Sequence, residues 1–420
     1  MNFTRKNMAN KAIIILFSII FFNTTQKVDA QKTHIIEMGI IDSLHSDILN
    51  ESREIYIHLP ESFEESSNRK YPVIYVLDGE VILKAAATVY DFYWGGYMPE
   101  MVIIGISNNK NRTRDLTTSE VEFRRGTAFK QETGGAENFT AYIEKELIPY
   151  VEKNYPVTGY RTLIGHSYAG LFTISALINH THLFENFLAI DPSLDWDNQK
   201  LLKQSKEKLS QESFKGKSIF LTLGGQLHMQ NSGINIKNVM EDTSEYTLFA
   251  RSNIEFYRVA KNNPQSGLNS QWKYYPQDLH GTVPLPSILD GLVFLFDWFQ
   301  MEDTDKINNP ETALDELLQV IRKREQKLKD HFSYFVPPYD EGLLNMLGYM
   351  YMEMGQLQKS LAIFLLGIEY FPSSANAYDS LADYYVAQGD FKNALINETR
   401  AFEISGSEYH RERMEEFRSK

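Results

Sequence analysis

The pattern in this chain best suited to chemistry is LIGHSYAG, Leu163 to Gly170, where an apolar run ends in a serine flanked by small residues. A serine hydroxyl becomes a useful nucleophile only when the backbone lifts it out of a strand toward a base, and the sharp turn that does so needs small neighbours. Gly165 and Ala169 provide them, and Gly170 lets the following helix approach. Ser167 is therefore the candidate nucleophile, although the motif in its usual form ends in glycine where this chain has Ala169. A base is needed next. The last β-rich run, Trp272 to Tyr275, leads into Pro276, Gln277, Asp278, Leu279, His280 and Gly281, which makes His280 the candidate general base.

The elements that must position these two residues alternate along the chain. Strands are expected at Glu54 to Leu59, Pro72 to Leu77, Met101 to Ile106, Arg161 to Ile164, Phe187 to Ile190, Ser218 to Leu223 and Trp272 to Tyr275. Several are near-continuous apolar runs, as strands buried on both faces should be. Helices are expected between and after them, at Thr140 to Asn154, Gly170 to His180, Leu248 to Lys261 and Ser287 to Gln300. The alternation from Tyr56 to about Phe299 is that of βα units on a mostly parallel sheet. The fold class expected is α/β, and the order serine before histidine agrees with α/β-hydrolases. With 43% hydrophobic and 23% charged residues the chain has ample material for a core.

The runs YPVIYVLDGE, VIIGISNN followed by RTRDLT, GGAENFTAYIEKELIPYVEKNYPV, GHSYAGLF, AIDPSLDWD and DLHGTVPLPSILDGLVFLF cover most of residues 40 to 300. Together they resemble the putative esterase family of α/β-hydrolases. That family includes esterase D, enterochelin and related siderophore esterases, and feruloyl or acetyl esterases of polysaccharide degraders. The resemblance implies Ser167 as nucleophile, His280 as general base and a three-layer sandwich. It also implies an acid just after the strand Ser218 to Leu223, but the loop there reads Gly224, Gly225, Gln226, Leu227, His228 and offers no carboxylate. Counting back from the next helix makes Asp242 the first choice, with Glu241, Asp191 in AIDPS, Asp278 or a bare Ser-His dyad as alternatives. An oxyanion hole needs two backbone N–H groups. One is expected from Tyr168, and the other, by the resemblance, from Gly79 or Glu80 in the turn after YVLDG.

Aromatics from Tyr90 to Tyr97, among them Trp94, together with Trp196, could line a substrate pocket, or equally be packing. Arg112, Arg114 and Asp115 read as an ion-paired loop on the active-site side, with anion binding as the sharper alternative. No histidine-carboxylate cluster has metal-ligand spacing, and no cofactor is expected.

After Met301 strand candidates cease and helix formers take over. Gly355 and Gly389, Leu347 and Leu381, Tyr351 and Tyr385, and Leu361 and Leu395 share one offset of about 34 residues, the tetratricopeptide period. Residues 301–420 are thus expected to form a small all-α domain resembling that repeat and packed on its neighbour, serving equally well as a stabilising extension or as a face for a protein partner. At the other end, Arg5, Lys6 and Lys11 precede the apolar run Ala12 to Phe22, and Val28-Asp29-Ala30 forms a small-residue cleavage site. Residues 1–30 are expected to be a signal peptide, with residues 31–300 as the esterase domain of a periplasmic or secreted protein. A net charge of −13 argues against nucleic-acid and anionic-membrane partners, and the absence of cysteine excludes disulfides and thiol chemistry.

The reading is an exported serine esterase whose substrate is a polysaccharide acyl or feruloyl ester or a siderophore ester. The rival is a non-catalytic hydrolase fold that binds a protein through its helical repeats.

Overall fold

The computed structural model describes residues 38–61, 63, 69–124 and 127–420. The signal-peptide expectation lies outside these residues. Among the described residues there are ten strands: β1 (Ile40–Ser46), β2 (Glu51–His58), β3 (Tyr71–Leu77), β4 (Val102–Ile106), β5 (Phe123–Arg124), β6 (Thr127–Ala128), β7 (Val157–His166), β8 (Asn186–Ile190), β9 (Ser218–Gly224) and β10 (Asn269–Tyr275). Eight of them build one sheet in the order β1-β2-β4-β3-β7-β8-β9-β10, while β5 and β6 form a separate hairpin. The first two pairings, β1 with β2 and β2 with β4, are antiparallel, and the rest are parallel.

The period-two alternation of a strand buried on both sides is visible in β3. Tyr71, Val73, Tyr75 and Leu77 face one core, Ile74 and Val76 the other, and all are fully buried. On the first side pack α3 (Ala136–Tyr142), continued by a wider turn into α4 (Ile148–Asn154), then α5 (Tyr168–Asn179), α6 (Trp196–Gln211) and α7 (Leu248–Asn262). On the second side lie α1 (Gly79–Tyr93) and α8 (Pro284–Leu295), joined through Ile82, Ala86, Ile288 and Leu292. A short α2 (Arg112–Leu116) follows β4. This is the three-layer α/β-hydrolase arrangement that the sequence implied.

The expected strands are all present within a few residues, and the expected helices coincide with α3 to α5, α7 and α8. Among the elements that escaped the sequence reading are the edge strand β1, the hairpin β5–β6 and helices α1, α2 and α6. The run read as an aromatic wall forms the end of α1 and the turn after it. Tyr90 there is buried, and its hydroxyl accepts the Met101 N–H at 3.0 Å.

Beyond α9 (Thr304–Ile307) the chain is helical throughout: α10 (Leu314–Phe332), α11 (Glu341–Glu353), α12 (Leu357–Tyr370), α13 (Ala375–Ala387), α14 (Phe391–Ser405) and α15 (Glu408–Arg418). Helix α10 has two apolar ends with different partners. Leu317, Val320 and Ile321 pack with Leu344, Leu347 and Tyr351 of α11, whereas Leu328 and Phe332 join Tyr160, Phe296 and Phe299 in the core beneath the sheet. No helix of the described residues is long and apolar enough to cross a membrane.

Candidate active site

Parallel strands deliver their carboxyl ends to one edge, and in such sheets that edge is where reactive side chains collect. Ser167 stands between the end of β7 and the start of α5 with φ 62° and ψ −114°, a strained conformation for a residue with a side chain. The turn closes so tightly that a Cβ on Gly165 would lie 2.2 Å from the Ala169 carbonyl oxygen, so only glycine fits there. The Ser167 N–H is satisfied by the Ile190 carbonyl at 3.0 Å, which ties the elbow to β8.

His280 lies in the loop after β10 and is held there from the end of β9. The Gly225 N–H donates to the Asp278 carbonyl at 2.7 Å, and the Gln226 side-chain oxygen accepts the His280 N–H at 2.8 Å. Its Nε2 lies 3.0 Å from Ser167 Oγ. Its Nδ1 lies 2.6 Å from Oδ2 of Asp191, whose other oxygen accepts the Gly224 N–H at 3.0 Å. Asp191 is 2% exposed, and a carboxylate so enclosed is tolerable only when paired and hydrogen-bonded. It ends β8 with φ 44°, its N–H donating to the Thr222 carbonyl of β9.

The structure therefore brings Ser167 and His280 together and sets Asp191, not Asp242, against His280 Nδ1. Asp242 is engaged with the Ser244 N–H at 2.8 Å and the Thr247 hydroxyl at 2.9 Å, which identifies it as a turn residue ahead of α7. Hydrogen bonds from Ser244 and Thr247 hold its carboxyl below the usual range. Asp278 likewise accepts the Thr282 hydroxyl within its own turn. Room for the acid at Asp191 comes from the neighbouring strand. A Cβ on Gly224 would sit 3.3 Å from Asp191 Oδ2, so the residue type that left the expected acid position empty also makes space for the carboxylate arriving from β8.

The ring of His166, the residue before the nucleophile, lies 4.5 Å from that of His280. Burial, helped by His280 beside it, pushes the His166 imidazole down to about 4, so it is an uncharged neighbour at neutral pH.

Helices α1 and α5 both begin at the carboxyl edge, after the adjacent parallel strands β3 and β7. The first N–H groups of a helix point out of its N-terminal end and the helix dipole favours negative charge there, so the ends that carry Gly79, Glu80 and Tyr168 suit an anion. Asp78 occupies the left-handed turn ahead of α1 and is gripped by Arg112 through two bonds of 2.8 Å, while Arg112 also donates to the His166 carbonyl at 3.2 Å. The ion-pair reading thus has its geometry at Arg112, on the short helix α2 and not on a loop.

Of the two readings of the tryptophans, packing is the one that Trp196 follows. Trp94 caps the far end of α1, about 20 Å along the helix from Gly79. Trp196 is buried at 2% exposure, edge-on to Tyr168 and beneath the guanidinium of Arg124, which also donates to the Tyr168 hydroxyl and pairs with Asp195. Neither forms an open aromatic wall beside Ser167. Remote from this edge, in the C-terminal helices, Asp379, Glu398 and His410 bring ligand atoms within 4.8 Å of one another, a cluster the spacing in sequence did not reveal. Arg413 lies 3.3 Å from both carboxylates, so a guanidinium already supplies positive charge there.

With the elbow and its histidine in place, comparison with known proteins is decisive. Residues 46–282, more than half of the chain, match the model of the family described as "Putative esterase". The chain belongs to this family. Among curated relatives it is 30% identical over 178 residues to a ferri-bacillibactin esterase of Bacillus subtilis, covering 38% of this chain and 61% of that protein. It is 27% identical over 176 residues to a siderophore enterobactin esterase of Emericella nidulans, covering 39% and 56%. The chain thus spans about 60% of the length of these relatives. An IroE-like serine hydrolase of Shewanella oneidensis superposes with a TM-score of 0.63 at 28% identity, over 79% of this chain and 99% of that one. A protein of Capnocytophaga ochracea, TM-score 0.55 at 17% identity, shares the fold over 91% of this esterase-family chain.

Proposed function

We propose that this protein is a serine hydrolase of carboxylic esters, with siderophore esters as its substrate class. The observation that carries the reading is the continuous relay from Ser167 Oγ through His280 to the buried Asp191 carboxylate. Asp191 accepts the Nδ1–H of His280 and so leaves Nε2 free to take the serine proton. Ser167 Oγ then bonds to the ester carbonyl carbon, and the carbonyl electron pair moves onto oxygen. The Tyr168 amide and an amide at the Gly79 to Glu80 turn face the charge that forms. His280 returns the proton to the departing alcohol, and water, deprotonated by the same imidazole, resolves the acyl-enzyme. The relatives named for siderophore esters favour that substrate class over polysaccharide esters. The positive, apolar and small-residue regions of residues 1–30 support export. The shared offset within α11 to α14 supports a tetratricopeptide-like pair of units with a partner-binding face.

The test is hydrolysis of short-chain p-nitrophenyl esters and of ferri-bacillibactin, beside labelling by a fluorophosphonate read by intact mass. Turnover and a single label, both lost in Ser167→Ala, are expected. A wild-type protein with neither activity nor label would transfer the reading to the non-catalytic rival.

A further inference from the structure

The loop that carries Asp191 carries a second hydroxyl into the site. Ser193, two residues on, is 3% exposed and places its Oγ 3.4 Å from Ser167 Oγ. Among the described residues that is the one hydrogen-bond partner of its hydroxyl. The placement is built from three sides. The Ser193 N–H donates to the Ser167 carbonyl at 3.1 Å, the Ser193 carbonyl accepts the Trp196 N–H at 3.0 Å, and the fully buried Asn253 of α7 donates to the Pro192 carbonyl at 2.9 Å. One three-residue turn, Asp191-Pro192-Ser193, therefore sends a carboxylate to the base and a hydroxyl to the nucleophile.

Building on the serine-hydrolase reading above, we propose that Ser193 donates a hydrogen bond to Ser167 Oγ and stabilises the charge that gathers there as the bond to carbon forms and breaks. The donor is fixed by elimination. Ser167 has one proton, and base catalysis requires it to point at His280 Nε2, so at the contact between the two hydroxyls Ser193 gives and Ser167 accepts. At 3.4 Å the contact is long, as catalytic hydrogen bonds in free enzymes commonly are before they tighten in the reacting complex. As Nε2 withdraws the proton, Oγ becomes a stronger acceptor, and a charge-assisted bond outweighs the neutral one it replaces. That difference, present in the transition state and small in the ground state, lowers the barrier. Ser193 keeps its own proton throughout. When the acyl-enzyme breaks down, Oγ is the leaving atom, His280 returns the proton to it, and the same donor faces the same charge. Burial of Ser193 keeps water from substituting for it.

The experiment compares wild type with Ser193→Ala, Ser193→Thr and Ser193→Val in the full-length protein. It reads the second-order rate of inactivation by an alkyl fluorophosphonate, kcat/KM on a p-nitrophenyl ester, and the melting temperature. Inactivation reports the nucleophilicity of Oγ without the substrate's alcohol. Ser193→Ala is expected to slow both rates about tenfold at an unchanged melting temperature. Threonine and valine have one shape and differ in the hydroxyl, so Ser193→Thr is expected to react several-fold faster than Ser193→Val whatever strain both carry. Rates within twofold of wild type in Ser193→Ala, or equal losses in the threonine and valine variants, would overturn the proposal and leave the esterase reading standing. A wild-type protein that takes no label at Ser167 would overturn both.

Discussion

The residue scale is where sequence and structure part most sharply, and they part over one carboxylate. Ser167 and His280 were legible because each sits in a local context that its chemistry demands: the elbow with its small neighbours, and the loop after the last strand. Asp191 was legible only as an alternative, because its role depends on a contact that the chain order hides. It reaches His280 across two neighbouring strands, from a left-handed turn at the end of β8 and into space left by Gly224. The available signal was an aspartate, followed by proline, at the end of the apolar run Phe187 to Ile190. Asp191→Asn is expected to lower kcat by 10³ to 10⁴, roughly, because an amide that donates to Nδ1 selects the wrong tautomer, whereas Asp242→Asn should stay within about twofold of wild type. Steady-state kinetics on both variants, at matched folding by circular dichroism, checks this. Equal losses would mean that the relay runs through neither geometry.

At the scale of elements, strands that are apolar on both faces announced themselves, whereas β1, with Ile40 and Ile41 exposed at the sheet's edge, did not. Helix α6 was hidden by the three consecutive left-handed residues Asp197, Asn198 and Gln199 at its start. The last three helices contain a junction that no local pattern discloses. Glu398 of α14 is fully buried and hydrogen-bonded to His410 of α15 at 2.7 Å. Asp379 and Asp383 of α13 and Arg413 of α15 surround it. Burial, with the Asp379 carboxylate beside it, pushes the Glu398 carboxyl up to about 7 from an ordinary 4.5, against the pull of His410 and Arg413. Between those two values the folded protein keeps a proton that the unfolded chain releases. Stability from this group is therefore fully present below about 4.5 and lost as pH rises through about 7. The protection of the α15 amides, measured against the intrinsic exchange rate at each pH, is expected to fall over that window, and in Glu398→Gln, which stays neutral, that fall should flatten. A variant that retains the wild-type slope would place the titration elsewhere.

For the molecule as a whole, the change of composition after Met301 reads as a second domain, and α10 is the element that ties the residues after it to those before it. Its C-terminal half inserts Leu328 and Phe332 among Tyr160, Phe296 and Phe299, His331 stacks on Trp298 at 3.9 Å, and the Tyr334 hydroxyl donates to Thr158 of β7 at 3.0 Å. Arg324 reaches back to the Gln300 carbonyl at 3.2 Å and forward to that of Pro338 at 2.7 Å, fastening the two parts of the chain across the helix. None of these partners is a neighbour in sequence, and an amphipathic helix does not advertise which core it will enter. Each buried side chain of this size contributes about 1.5 to 3 kcal/mol, so losing Leu328 and Phe332 costs about 5 kcal/mol, a large share of an ordinary domain's stability. A chain cut after Gln300 is therefore expected to melt far lower than the full-length protein and to bind a hydrophobic dye. One cut after Phe371 keeps α10 to α12 with their own core and should retain the melting transition and the fluorophosphonate label. If the chain ending at Gln300 melted like the whole protein, α10 would be an attachment to a complete domain, and its buried aromatic contacts would be a surface covered rather than a core shared.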